Sequence, residues 1–345
     1  MPDGMLIVQK PRGLTSHDIV DGIRRAYGVK AGHAGTLDPM AQGVLLIFMD
    51  RALKLLQYIP ATSLDKTYLM RVTLGTTTDT YDATGKTMAV HEGPMEFGHD
   101  EILTRLRRFV GTIKQRPPAF SAIKVKGKRA YDLARAGAPP ELEARDVHVT
   151  SIRLVRDYKN ETGRQLVLRI HCSRGTYVRS IAHDLGAALG CGGHLSYLLR
   201  ERVGAFSHLH AFPFWKVQQK LPYEGGTCWV PMSEVLPHSK LYLIEGADAR
   251  VKAGQSLEPK DVKSLKAAPS PVEGDPVFQV YSAAGEFIAL YQSRSANETV
   301  AAVGSSGIPG SPDSPGSSGA TGGGNNGAGR DGRGLPRLVP LRVLI

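Results

Sequence analysis

The sequence predicts an α+β protein: a mixed, largely antiparallel sheet flanked by helices, followed by a small all-β module. Three observations carry this expectation. Long amphipathic helices are few, and strands and turns alternate irregularly, unlike the regular alternation of a doubly wound parallel sheet. A chain of 345 residues can hold two domains with a sizeable core. The composition also shifts near Pro237, after which the apolar segments become short and β-like. The expected division is therefore 1–236 and 237–345.

Taken in order, residues 5–9 read as a buried strand, and Lys10-Pro11-Arg12-Gly13 as the turn that ends it. Thr15 or Ser16 can N-cap a helix with Ile19, Val20, Ile23 and Tyr27 on one face, and Gly28 stops it. Residues 44–48 form an apolar run that reads as a buried strand. Strand-like stretches follow at 68–74 and 165–172, and 179–189 reads as an amphipathic helix with Ile181, Leu185 and Leu189 inside. Past Pro237, residues 241–244, 277–281 and 287–291 are the β-like segments. Residues 304–334 are almost entirely Gly, Ser, Pro, Asn and Ala, which cannot bury enough apolar area to offset their ordering entropy. The closing LPRLVPLRVLI looks like a strand again. The low-complexity stretch is thus expected to be an inserted loop, with the final strand returning to the β module.

The formal charge of +11 makes a polyanionic partner plausible. Its distribution says more. Residues 102–131 contain no Asp or Glu, yet carry Arg105, Arg107, Arg108, Lys114, Arg116, Lys124, Lys126, Lys128 and Arg129. Such a stretch is either a solvated helix face and hairpin or a phosphate-tracking surface. No apolar run is long enough to span a bilayer, and MPDGMLIVQKPRG lacks signal-peptide features, so a cytoplasmic protein without a membrane partner is expected.

Several motifs fail on inspection. Cys172, Cys191 and Cys228 are odd in number and widely spaced, so no disulfide framework is implied. Cys191-Gly-Gly-His194 has metal-ligand spacing, but the adjacent His171 and Cys172 point to opposite faces of a strand and cannot easily complete one site. Gly85-Lys86-Thr87 ends like a P-loop, but Thr80 stands where the first glycine is needed. Asp79-x-x-Asp82 has neither the spacing nor the glycine of an EF-hand. G-x-S-x-G and H-E-x-x-H are absent, so a hydrolase or NTPase reading has no residues to run on.

Two segments remain. AGHAGTLDPMAQGVLLI, residues 31–47, carries one carboxylate, Asp38, to the edge of a core strand. HCSRGTYVRSIAHDLG, residues 171–186, places Tyr177 and Arg179 at a strand-to-helix transition, on one face if the segment is extended. By spacing alone they could be a buried tyrosine and a surface arginine. If Arg179 instead meets Asp38, the guanidinium keeps a part-buried carboxylate ionised and ready as a nucleophile.

These segments closely resemble the bacterial TruB family of tRNA pseudouridine synthases. The matching pieces stand in order as KPRGLTSHD (10–18), GHAGTLDPMAQGVL (32–45), KTYLMRVTLGTTTDTYDATG (66–85), PPAFSAIKVKGKRAYDLARAG (117–137), CSRGTYVRSIAHDLG (172–186) and CGGHLSYLLR (191–200). The resemblance implies the pseudouridine synthase fold over 1–236 and, more weakly, a PUA-like RNA-binding barrel over 237–345. It implies that the T-loop uridine at tRNA position 55 is flipped out and isomerised, with no cofactor or metal. Asp38 matches the catalytic aspartate, which attacks the ribose C1′ or assists glycosidic cleavage. Arg179 matches its arginine partner. Tyr68 matches the tyrosine that stacks on the target base, Tyr177 and Leu198 match substrate-contacting positions, and His33 matches the histidine that enters the T loop. Lys10 and Pro11 lie in a motif with a structural role. The basic insertion, 102–137, with Lys124, Lys126, Lys128 and Arg129, then faces the T-arm backbone. The expected partner is the T arm of tRNA, bound by a monomer with no obligatory protein partner. An RNA-folding chaperone is disfavoured by the intact Asp38, Tyr68 and Arg179. A guide-RNA-dependent synthase resembling dyskerin is disfavoured by the insertion.

Overall fold

The computed structural model describes residues 3–121, 123–125, 127–161, 163–219, 228–268, 277–293 and 338–344, without the side chain of Arg129. Strand β1 (Gly4–Lys10) is buried except at Gln9. Helix α1 (Ser16–Tyr27) follows from a capping box: Asp18 N donates to Thr15 Oγ1 at 3.0 Å, and Thr15 N to the Asp18 carboxylate at 2.7 Å. Gly28 ends it in the left-handed region at φ 65°, which glycine adopts without steric penalty. Ile19, Val20 and Ile23 face inward.

Strand β2 (Ala31–Ala34) pairs with β3 (Gln42–Met49), which is buried from Gly43 to Met49. In β4 (Lys66–Leu74), Lys66, Tyr68, Met70, Val72 and Leu74 share one buried face, the period-2 pattern of a strand. Strands β5 (Thr76–Thr78) and β6 (Thr87–Val90) form a hairpin. Helix α2 (His99–Arg107) and β7 (Gly111–Gln115) precede a small hairpin, β8 (Lys124–Val125) with β9 (Lys128–Arg129), and helix α3 (Ala130–Arg135). Then come β10 (Arg145–Asn160), β11 (Gly163–Cys172), α4 (Val178–Ala188) and β12 (Gly193–Val203). Short elements finish this unit: β13 (Phe206–Ser207), β14 (Phe212–Pro213), α5 (Phe214–Gln218) and β15 (Trp229–Pro231).

The main sheet runs β14-β1-β3-β12-β4-β11-β10-β7, with β2, β13 and β15 paired to β3, β12 and β1. Only β1–β14 and β3–β12 are parallel among the described pairs of this sheet, so it is mixed and largely antiparallel. The β3–β12 junction depends on Gly43. Its φ is 114°, and a Cβ there would collide with the carbonyl oxygen of Arg200. That approach sets β12 directly beside the loop between β2 and β3. One core packs β4, β11 and β12 against α2 and α4; a second packs β1 and β3 against α1 and α5.

Contacts divide the chain into two compact units, Met1–Leu236 and Pro237–Ile345. The second contains β16 (Ser239–Leu243), α6 (Asp248–Lys252), β17 (Val262–Lys266), β18 (Val277–Tyr281), β19 (Phe287–Ser293) and β20 (Leu338–Val343). Its sheet order is β17-β16-β18-β19-β20 around a core that includes Leu241, Val280, Ile288 and Tyr291. The last strand does return: β20 pairs with β19, with Leu338 opposite Ser293. Among the described residues the path is an open one, ending at β17 and β20, and the exposed Lys263–Lys266 side of β17 is an edge rather than a seam. Residues 304–334 lie outside the described residues.

Candidate active site

The loop from β2 to β3 carries Asp38 and is held on every side. Leu37 N donates to Ser16 Oγ at 2.8 Å, and Ser16 Oγ donates back to Leu37 O at 3.1 Å. Gly13 N donates to Pro39 O at 2.7 Å, and Ala41 N to Asp38 O at 3.0 Å. Lys10 Nζ donates to Ala41 O at 2.7 Å, Pro11 O at 2.9 Å and Pro39 O at 3.4 Å. On the other side Arg200 donates from Nε to Val44 O at 2.7 Å, from Nη2 to Gly35 O at 2.9 Å and from Nη1 to Thr36 O at 3.3 Å. Lys10 and Arg200 are both fully buried. A buried cation is tolerated when its donors are satisfied, and here backbone carbonyls satisfy them. Burial still pushes the Lys10 ammonium down to about 8 and lowers the Arg200 guanidinium, while the charge on Asp38 opposes both.

Asp38 itself is 35% exposed and faces Arg179, which is 6% exposed. Arg179 Nη2 donates to Asp38 Oδ1 at 3.2 Å. Nε lies 2.9 Å from Oδ2 but is not aligned as a hydrogen bond, so that contact is electrostatic. The guanidinium has three further neighbours: Nη1 donates to Thr80 O at 3.1 Å, Nη2 to Phe120 O at 2.9 Å, and the Asp82 carboxylate stands 3.7 Å from Nη1. The extended reading of residues 177–179 fails in one respect. Tyr177 is the N-cap of α4 and Arg179 lies in its first turn. The helix start, rather than an extended face, aims the arginine inward.

Asp82 closes the turn between β5 and β6. Its Oδ1 accepts from Thr84 N at 2.9 Å, Thr80 Oγ1 at 3.0 Å and the Thr84 hydroxyl, which leaves Oδ2 toward Arg179. Tyr81 takes φ 62°, the left-handed region that a bulky side chain rarely enters, and its ring stacks on His183 at 3.9 Å between centroids.

Tyr68 is buried opposite Arg200 in the β4–β12 register, and burial pushes its phenol up to about 12 against the pull of that guanidinium. Tyr68 and Leu198 share one apolar cluster with Leu37, Met40, Ala41 and Val178, so the residues flanking Asp38 and Arg179 pack on the same core. Tyr177 is fixed through its backbone: its N–H donates to Gln115 Oε1 at 2.8 Å, and its carbonyl accepts from Gln115 Nε2 at 3.0 Å. Its ring lies under the Arg145 guanidinium at 5.1 Å. His33 sits in β2 opposite Ile47, half-buried, and burial lowers its imidazole so that the neutral form is favoured. Its Nδ1 has no hydrogen-bond partner among the described residues.

The basic stretch divides. Arg105, Lys114 and Arg116 pair with Glu101, Asp146 and Glu141, acids just outside the acid-free run. Lys124 and Lys128 are exposed in the β8–β9 hairpin and form no ion pair with a described residue. Lys126 and the Arg129 side chain lie outside the described residues. Cys191 Sγ donates to Gly192 O at 3.3 Å, and His194 Nδ1 lies 2.9 Å from Thr76 O, while His171 Nδ1 faces Thr67 Oγ1 at 3.0 Å. The nominal metal spacing is thus used for local bonds.

Three residues of the site escape sequence reasoning: Ser16, Arg200 and Asp82. Asp82 looks there like half of a failed EF-hand. The threonines around it, in TTTDTYDATG, are the signal for a turn built to orient a carboxylate.

A buried guanidinium stands between two carboxylates beside an apolar cluster, and its Nη2 also bonds the Phe120 carbonyl in the basic insertion. Comparison with known proteins supplies the class. Residues 24–178 match the TruB family pseudouridylate synthase N-terminal domain, and residues 179–224 the tRNA pseudouridylate synthase B C-terminal domain. The tRNA pseudouridine synthase B of Corynebacterium efficiens is 38% identical over 271 residues, covering 78% of this chain and 89% of that protein. The Mycobacterium sp. protein of the same name is 46% identical over 215 residues, covering 61% and 70%. Among solved structures, a Cbf5-Nop10-Gar1 complex contains a chain that is 25% identical with a TM-score of 0.59, over 84% of this chain and 78% of that one. The chain belongs to the TruB family of pseudouridylate synthases.

Proposed function

We propose that this enzyme converts uridine to pseudouridine in the T loop of tRNA, at position 55, with Asp38 as the group that works on the sugar. The arrangement that carries this reading is the Asp38 carboxylate, one-third exposed and held by Arg179, beside the apolar cluster that contains Tyr68 and Leu198. Relatives named tRNA pseudouridine synthase B support the substrate class.

A base stacked in the tRNA elbow is out of reach, so it is flipped at a cost of a few kcal/mol. Stacking on Tyr68 returns about 1–3 kcal/mol, with Leu198 and Tyr177 lining the pocket and His33 taking part of the space the base leaves. Asp38 then attacks C1′ or assists cleavage of the C1′–N1 bond. The detached uracil turns and C5 bonds to C1′; on the attack route the Asp38–C1′ bond breaks in that step and frees the carboxylate, and the proton lost from C5 is balanced by one gained at N1. Atoms and charge balance without a further reactant. Arg179 orients the carboxylate, and Asp82 in turn orients Arg179. The exposed lysines of the β8–β9 hairpin track the T-arm backbone, and the second unit adds a PUA-like RNA contact. The enzyme works as a monomer in the cytoplasm, without an obligatory partner. Incubating purified protein with unmodified tRNA and mapping pseudouridine tests the reading. A single new pseudouridine at position 55 is expected; modification elsewhere, or none, overturns it.

A further inference from the structure

One buried cation near Asp38 has no task in this reaction. Lys66 is 9% exposed, and among the described residues its ammonium has no hydrogen-bond or ion-pair partner. This contrasts with Lys10 and Arg200, whose donors are taken up by carbonyls. Two positive groups converge at this point. A Cβ built on Gly35 would sit 3.3 Å from Lys66 Cε, 3.9 Å from Lys66 Nζ and 3.6 Å from Arg200 Nη1. Gly35 opens the loop that leads to Asp38, and its φ of 81° leaves that spot free of a side chain. Arg174, exposed in the turn after β11, adds a third positive charge; Asp65 is the one acid that acts on Lys66, and the Cys172 thiol lies across the strand. A largely desolvated ammonium with free donors, its Nζ outside the fully buried atoms, beside a second buried cation, is short of an anion.

We propose that Lys66 receives a phosphodiester of the substrate RNA, one of the two that flank the target uridine. The geometry of β4 supports this choice of anion. Lys66 and Tyr68 are two residues apart on the same buried face, about 7 Å along the strand. One flipped nucleotide can therefore place its base on Tyr68 and an adjoining phosphate on Lys66. Burial holds the free ammonium down at about 8, and a phosphate would restore it. This role rests on the RNA-modifying function already proposed.

The test is a cycle on a synthetic T-arm hairpin. One RNA is native, and two others carry an uncharged methylphosphonate at the linkage before or after the target uridine. Dissociation constants are measured for wild type, Lys66→Gln and Lys66→Arg, and pseudouridine is measured on the native RNA. One of the two neutral linkages should weaken wild-type binding about tenfold, the size of one charge-assisted contact. The same linkage should cost Lys66→Gln less than about twofold, and Lys66→Arg should recover the sensitivity. If the two losses simply multiply, or if neither linkage matters to wild type, Lys66 is a structural cation and the proposal is wrong. If Lys66→Gln does not fold, Lys66→Met takes its place in the cycle, and an equal loss on the neutral linkage in that variant and in wild type overturns the proposal. Tight binding with no pseudouridine formed would overturn the proposed reaction while the cycle still decides the role of Lys66.

Discussion

The loop that carries Asp38 and the hairpin of β8 and β9 are both short and both face substrate in the proposed reaction, yet they are held in opposite ways. Ser16, Lys10, Gly13 and Arg200 pin nearly every backbone carbonyl from Gly35 to Ala41. The hairpin rests on two register pairs, Lys124–Arg129 and Val125–Lys128, and its described lysines lie in solvent. Chemistry needs a group fixed within a fraction of an ångström, so its loop is bolted to buried side chains. Phosphate tracking needs charge and reach, so a lightly held element suffices. Arg179 touches both regimes, because it binds Asp38 and the carbonyl of Phe120 in the basic insertion.

The comparison can be broken most directly at Asp38. Asp38→Asn keeps the side chain's size and removes its charge. Pseudouridine formation should disappear, while tRNA binds within about tenfold of wild type, roughly 1.4 kcal/mol. Substantial activity in this variant would make the carboxylate structural.

Next in size is the scaffold. Lys10→Met fills the same space but leaves the Ala41 and Pro11 carbonyls without their donor. Each orphaned buried acceptor costs about 1–3 kcal/mol, offset in part by relief of the lysine's own desolvation. Urea unfolding should show a loss of about 2 kcal/mol, and turnover should fall more than affinity. Unchanged stability would mean that the ammonium does not hold the loop.

A pH series tests whether the Lys66 ammonium is desolvated. Lys66 loses its proton near pH 8 in the folded protein and near the ordinary lysine value of 10.5 when unfolded. Between those values the unfolded chain binds more protons, so wild-type stability rises with pH relative to Lys66→Met. The gain should be on the order of 1 kcal/mol between pH 7.5 and 9.5. A pH-independent difference would show that the ammonium is not desolvated.

On the other side of the comparison, neutralising Lys124, Lys126, Lys128 and Arg129 together should flatten the salt dependence of tRNA binding. The slope of log affinity against log salt should shrink by about 0.7 for each phosphate that the hairpin no longer neutralises. An unchanged slope would return the hairpin to the solvated reading. The smallest effect is expected from replacing 305–333 with a short Gly-Ser link. Ser293 and Leu338 are register partners, so a short connection can span the strand ends, and closure entropy changes slowly with length. A large fall in tRNA affinity would instead assign that segment a role in binding, through Arg330 and Arg333.

What the sequence determined by itself is whatever depends on near neighbours in the chain. The capping box of α1, the glycine that ends it, the buried run in β3 and the apolar face of α4 all follow from spacings of a few residues. Asp38 stands out for the same reason, as a lone charge entering an apolar run. Its motif also carries the family resemblance. The tertiary structure alone decided which groups converge on that charge. Arg179 and Asp38 are 141 residues apart, Arg200 reaches Val44 across 156, and Asp82 is an ordinary turn acid until Arg179 arrives beside it. Such partners leave no periodic trace, because the packing of α4 and the pairing of β12 with β3 and β4 bring distant segments together, and the β3–β12 approach leaves no room for a side chain at Gly43.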